Sequence, residues 1–268
     1  MFKTKEAEIF YKHLSRENEK TGKAYARDVD RFLDYIGKPP EAISAMDVDI
    51  WLDSLEGHSD RSKDRYCWSI KRFLKYMGKH ALSEQIPKIQ YRVEEPLWAS
   101  QEEIEKLLDN SPLYPRLIFE ITYDRALRPG EIALLRKDQY NPDTGAIIIR
   151  RLKHKGRPNE YSQMVSPKIR ESLNEFLENK HDRDPRIFPV SVSYCNKQFA
   201  KARDKSGLNK EYTLHTLRHS RITHIAIKEL EEKGFVDELS LAKFAGHIRI
   251  ETTRLYVHLG SKHLAFKS

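Results

Sequence analysis

Apolar residues recur every three to four positions through the first eighty residues, the period of helices with one buried face. The pattern predicts a helix over 5–17, with Ile9, Phe10 and Leu14 on its inner side, and a second from Thr21 carrying Tyr25, Val29, Phe32, Leu33 and Ile36. Gly37, Pro39 and Pro40 end the second, because glycine accepts a left-handed C-cap and proline cannot continue a helix. Further helices are predicted over 46–55 and 60–77. Residues 80–99 contain Pro87 and Pro96 and show weak periodicity, which reads as a linker.

Beyond the linker, Ser100 followed by Glu103 has the form of a capping box opening a new helix. A longer apolar segment covers 113–126, and a strand at 146–150 is followed by a polar turn at 153–158 and a return strand at 161–165. Helices are then predicted over 168–179, 194–205, 215–233, 239–245 and 250–259. The expected fold is mainly α with a small β-sheet, an α+β class. A helical domain occupies 1–82, a linker 83–98 and a mixed domain 99–268.

Composition sharpens this reading. The 268 residues are enough for two cores. The net charge of +8 admits a polyanionic partner. Cys67 and Cys195 stand far apart in dissimilar contexts, offering neither a disulfide framework nor paired metal ligands. No apolar run approaches the ~18 residues of a membrane span, and the first residues lack a signal-peptide core. A reduced, cytoplasmic protein is expected.

The predicted helix over 60–77 carries the charge asymmetrically. Arg61, Arg65, Trp68, Arg72, Lys75 and Lys79 fall on one face; Tyr66, Ile70, Phe73 and Met77 fall on the other. Between 61 and 79 there are seven Lys or Arg against one acid, Asp64. Solvated helix faces usually mix signs, so this stripe is a candidate contact for DNA phosphates, which bind cations with release of counterions.

The candidate chemistry lies downstream. Arg128 and Arg218 are guanidinium forks able to hold the two non-bridging oxygens of a phosphate. Glu131 is placed to orient Arg128, and His215 shares a helix face with Arg218, three residues on. His247 follows Gly246, and nine residues later Tyr256 offers a nucleophilic oxygen. Lys155, in the turn between the two strands, could protonate a leaving alkoxide, with Lys153 as its competitor. This ordered set suits attack on a phosphodiester. His215 and His219 also have a zinc-compatible i,i+4 spacing, but the intervening Thr-Leu-Arg supplies a cation and no glutamate base.

These motifs resemble the tyrosine recombinase (phage integrase) superfamily, especially its compact Xer-like and archaeal members. Ala126-Leu-Arg128-Pro-Gly-Glu131-Ile is similar to the family's first arginine box, and His215-Thr-Leu-Arg218-His219-Ser to its His-x-x-Arg box. Phe244-Ala-Gly-His247 and Thr252-Thr-Arg-Leu-Tyr256-Val-His258 are similar to its closing boxes. Pro129 stands where the family often has serine, and proline is acceptable in a first helical turn. The resemblance implies a core-binding domain followed by a catalytic domain, clamped on double-stranded DNA. It implies a phosphate pocket of Arg128, His215, Arg218 and His247, with Tyr256 forming a 3′-phosphotyrosyl bond and a hairpin lysine as general acid. It further implies site-specific recombination (integration, excision or dimer resolution) by a homotetramer on two sites, with no metal, ATP or other cofactor. Residues 264–266 (Leu264, Ala265, Phe266) would be an apolar hook docking on a neighbour, and no separate arm-binding domain is expected. A type IB topoisomerase-like nicking-closing enzyme and a catalytically silent DNA-binding protein are the alternatives.

Overall fold

The computed structural model describes residues 2–92, 94–150 and 160–267. It is mainly helical with one small antiparallel sheet, and divides into two compact units, Met1–Glu94 and Glu95–Ser268. Among the described residues no helix is long and apolar enough to cross a membrane.

The first unit contains α1 (Lys5–Ser15), α2 (Glu19–Ile36), α3 (Ala45–Asp53), α4 (Asp60–Tyr76) and α5 (His80–Gln85). Side chains start three of them by accepting otherwise orphaned backbone N–H groups: Asn18 takes Thr21 N, Ser44 takes Asp47 N, and Ser59 takes Ser62 N. Phe10, Val29, Phe32, Trp51, Ile70 and Phe73 form the core, with Phe10 on Phe73 and Phe32 on Trp51 packed edge to face.

Two expectations need correcting. Ile9 is 44% exposed; the inner face of α1 is Ala7, Phe10 and Leu14, whose three- and four-residue steps make a single stripe that excludes position 9. Residues 83–85, expected in the linker, belong to α5, which is too short to register as a periodic pattern.

Asp28 is buried beneath α4, accepting from Ser69 Oγ and from Arg65 Nη1, each at 2.9 Å. Burial raises its pKa, against the pull of Ser69 and Arg65. Removing Arg65 would strip the main counter-charge from a carboxylate that water cannot reach. We predict that Arg65→Ala lowers the stability of this unit by about 2 kcal/mol, read as an earlier urea midpoint by tryptophan fluorescence. An unchanged midpoint would show that Ser69 alone satisfies the carboxylate.

The second unit opens with α6 (Gln101–Asp109), where Ser100 and Glu103 do form the capping box, and α7 (Leu113–Asp124). A short α8 (Pro129–Ile132) leads to β1 (Ala146–Arg150) and β2 (Glu160–Met164), paired from Ala146↔Met164 to Arg150↔Glu160. Then come α9 (Pro167–Glu178), α10 (Val192–Lys205), α11 (Leu214–Lys233), α12 (Glu238–Ala245) and α13 (Ile250–Lys267). One core gathers Phe119, Leu127, Ile132, Ile147, Ile149, Phe188 and Leu217. A smaller one, with Ala126, Ile222, Ala226, Leu241, Ala245, Tyr256 and Leu259, joins α11, α12 and α13.

The last helix is eight residues longer than the predicted 250–259, because Gly260 does not stop it. A Cβ there would lie 3.2 Å from Leu230 Cδ1 and 3.3 Å from Ile227 N, so glycine lets α13 lie close against α11. That close approach brings one turn of α13, with Tyr256, over the start of α11.

Candidate active site

Three backbone turns build the site. At the end of α7, Ala126 adopts φ +49°, a left-handed conformation uncommon for a residue with a Cβ. The turn directs the Ala126 carbonyl toward Arg218 and puts Arg128 at the start of α8. There Glu131, almost fully buried, accepts from Arg128 N and from Arg128 Nη1, each at 2.8 Å, holding the guanidinium in place.

The second turn is the start of α11. Thr216 Oγ1 accepts from Thr213 N at 2.9 Å, satisfying one of the helix's free N–H groups. His215, Arg218 and His219 then project from the first two turns, where the helix dipole favours an anion. The third turn is the end of α12. Gly246 takes φ +65° there, and the α12 terminal carbonyls face the arginines. Ala245 O accepts from Arg218 Nη2 at 2.5 Å, and Gly246 O from Arg128 Nη2 at 3.4 Å. One helix end therefore holds two guanidinium groups 90 residues apart in sequence (218 − 128 = 90).

Tyr256, on α13, is 3% exposed. Its ring lies nearly parallel to His247, with centroids 5.6 Å apart, and to His219, at 5.8 Å. Its hydroxyl lies 2.7 Å from His219 Nδ1. His247 Nδ1 meets Thr253 Oγ1 at 2.9 Å, and His215 packs edge-on to His219 at 4.5 Å.

Burial, with the nearby arginines, sets the charges. Burial, then Arg218 and Arg128, push His215 down to about 4. Burial, then His215 and Arg218, push His219 to about 3. Burial, Arg218, Arg128 and His219 push His247 to about 3. Burial raises the Tyr256 phenol against the opposing pull of the two arginines. Burial, then Arg128, lower Arg218 to about 10, which leaves it charged at neutral pH. The resting site thus has three neutral imidazoles, a neutral phenol and two guanidiniums opposed by the one carboxylate of Glu131.

The structure therefore brings Arg128, His215, Arg218, His247 and Tyr256 together. Lys155 and Lys153 lie outside the described residues. Sequence spacing presents His219 only as half of a zinc pair, yet it is the residue that touches the Tyr256 hydroxyl. Its one local signal is adjacency to Arg218. Among the described residues no group of three or more His, Cys, Asp or Glu could hold a metal ion.

The expected DNA-contact residues are all in the first unit, on α4 or just after it. Arg61 and Trp68 are exposed. The others are engaged: Arg65 by Asp28, Arg72 by Glu17 at 3.0 Å, and Lys75 by Glu84 at 2.7 Å. Lys79 Nζ donates to the carbonyls of Glu41 and Ile43. The stripe has one sign along its own helix, but acids from neighbouring segments face it in the folded unit.

The sequence profile of the phage integrase family matches residues 98–263, the span that contains every residue of this cluster. The chain belongs to that family. It is a tyrosine recombinase, an enzyme that cuts and rejoins DNA through a phosphotyrosyl intermediate. It is similar to the tyrosine recombinase XerA of Thermococcus kodakarensis, with 28% identity over 95% of this chain and 90% of that protein. It is also similar to a tyrosine recombinase of Thermosipho africanus, with 27% identity over 93% of this chain and 92% of that one. Among solved structures, the fold matches the XerH site-specific recombinase bound to a palindromic difH substrate in a post-cleavage complex. The TM-score is 0.76 at 20% identity, covering 96% of this chain and 82% of that one. A lambda integrase dimer bound to a COC′ core site has a TM-score of 0.73 at 16% identity, covering 94% of each chain.

Proposed function

We propose that Arg128 and Arg218 clamp the scissile phosphate of duplex DNA, with His215 and His247 as neutral hydrogen-bonding partners. Tyr256 attacks phosphorus, leaving a 3′-phosphotyrosyl bond and a free 5′ hydroxyl. The observation that carries this reading is the pair of guanidiniums held by the α12 terminal carbonyls beside the Tyr256 ring. Two fixed cations stabilise the charge that grows on the non-bridging oxygens, and they need no reorganisation as it develops. Lys155, or its neighbour Lys153, protonates the departing oxygen. The phosphotyrosine conserves the bond energy, so rejoining requires no nucleotide.

The first unit supplies the non-specific grip on DNA through the α4 face, with Arg61, Trp68 and Lys75 its exposed members. Four protomers assemble on two sites, and the end of α13, where Phe266 is 83% exposed, docks on a neighbour. A DNA substrate and two buried free thiols fit the cytoplasm.

The test uses a nicked duplex carrying the sequence that the protein captures covalently from a randomised duplex pool. A detergent-stable adduct is expected, with the added mass on the peptide containing Tyr256 and a free 5′ hydroxyl on the released strand. Two labelled duplexes should also exchange strands. Relaxation of supercoiled DNA without exchange would instead assign a nicking-closing enzyme, and DNA binding with no adduct a silent binding protein.

A further inference from the structure

We infer that His219 is a catalytic residue of this enzyme, the base that takes the Tyr256 proton during cleavage and returns it during rejoining. The inference deepens the proposed reading of the site and rests on it, since it assumes Tyr256 is the nucleophile.

Geometry singles out this histidine. Among the described residues, the hydrogen bond recorded at Tyr256 Oη goes to His219 Nδ1, at 2.7 Å. The other two imidazoles are differently engaged. His247 directs Nδ1 to Thr253 Oγ1 and offers Tyr256 its ring face, while His215 meets His219 edge-on. His219 is thus fixed between His215 and the tyrosine, on a helix that also carries Arg218. The role requires the tautomer in which Tyr256 donates its O–H to a bare Nδ1 and Nε2 carries the ring proton.

The step balances as follows. The Tyr256 O–H bond breaks and its proton passes to Nδ1 while the Oη–P bond forms. The P–O5′ bond breaks, and the departing oxygen takes a proton from the hairpin lysine. In rejoining, the 5′ hydroxyl attacks phosphorus as its proton returns to the hairpin lysine, the Oη–P bond breaks, and the His219 imidazolium returns its proton to Tyr256 Oη.

The charges facing His219 make this transfer depend on substrate. Burial, then His215 and Arg218 from α11, disfavour its imidazolium. His247, Arg128 and Tyr256 are close neighbours in the same cluster. A phosphodiester between Arg128 and Arg218 brings the negative charge that offsets these cations, so His219 gains basicity when DNA arrives. Tyr256 is therefore kept protonated until there is a phosphate to attack.

The experiment measures single-turnover adduct formation on the captured nicked duplex, with an ordinary phosphodiester and with a 5′-bridging phosphorothiolate, whose sulfur leaves without a general acid. His219→Asn keeps an acceptor near the Nδ1 position but cannot hold a proton at neutral pH. It should bind the duplex within about twofold of wild type and cleave about 100-fold more slowly on both substrates. Its rate should rise about tenfold per pH unit above pH 7, where wild type is level, because hydroxide must replace the missing base. His219→Ala, made in parallel, should regain at least about tenfold when imidazole is added.

Cleavage by His219→Asn at the wild-type rate or faster would overturn the inference, making the contact a latch that stores the hydroxyl. Full recovery on the sulfur substrate would also overturn it, moving His219 to the leaving-group side. So would an Ala variant indifferent to imidazole. Failure of the underlying reading looks different: wild type would form no adduct, or Tyr256→Phe would still form one.

Discussion

Tyr256→Phe is expected to abolish the covalent protein–DNA adduct and leave DNA binding unchanged. The substitution removes one oxygen and keeps the ring of a residue that is 3% exposed and lies nearly parallel to the rings of His247 and His219. Its packing with Ile222, Leu241 and Leu259 persists. The loss is the hydrogen bond to His219 Nδ1, worth about 1 kcal/mol, so the variant should remain folded with only a slightly lower melting temperature. The arginine pair is bonded to Glu131 and to the carbonyls of Ala126, Ala245 and Gly246, none of which changes. Affinity for the nicked duplex should therefore match wild type in a gel-shift assay, while the detergent-stable band falls below detection. An adduct that survives would place the nucleophile elsewhere. Tyr161, on β2 with its phenol close enough to act on Arg218, is the next hydroxyl to examine.

Mild acid is expected to destabilise the second unit well before the carboxylates titrate. His215 and His224 are held neutral down to about 4, and His219 and His247 down to about 3. Burial is the first cause in all four; His224 is packed beside Arg221 and bonded to the Tyr123 hydroxyl at 2.7 Å. In the unfolded chain each ring protonates near 6.5. Below that pH the unfolded chain binds more protons, so stability is fully present above about 6.5 and drains away as pH falls toward 3–4. Each histidine removes about 1 kcal/mol at pH 5.5. Together, with allowance for the solvent that half-buried rings still see, they cost on the order of 3 kcal/mol relative to pH 7.5. Asp184, lowered to about 2, acts in the same direction but only below the usual carboxylate range. Urea titrations at pH 7.5, 6.5 and 5.5 should show the midpoint moving steadily down. A constant midpoint over that range would mean the rings are better solvated than their packing indicates. Bound duplex should hold the midpoint higher, since its phosphate offsets the arginine charges around three of the four histidines.

Much of the molecule is legible residue by residue. The capping pair Ser100 and Glu103, the isoleucine-rich strand at 146–150 and the apolar stripe of α4 are local patterns, each expressed within a few residues or one helix. The arginine, histidine and tyrosine boxes are equally local, and family membership follows from them. Two positions show the limit of local pattern. Ile9 is apolar and adjacent to Phe10, yet it lies off the Ala7, Phe10 and Leu14 stripe that packs inward and is left exposed. Gly260 carries the residue type of a helix end and instead serves a close helix crossing.

The sequence by itself determined most of the helical and strand segments, the charge asymmetry of α4 and the ordered set of chemical groups, because each is encoded by neighbours in the chain. The tertiary structure alone decided their partners. It set Asp28 beneath Arg65 across 37 residues, the Ala126 carbonyl on Arg218 across 92, and His219 on the Tyr256 hydroxyl across 37. The physical reason is range: caps and periodicities act over one or two helical turns, whereas a proton acceptor is chosen by which helices pack together and how closely their backbones approach.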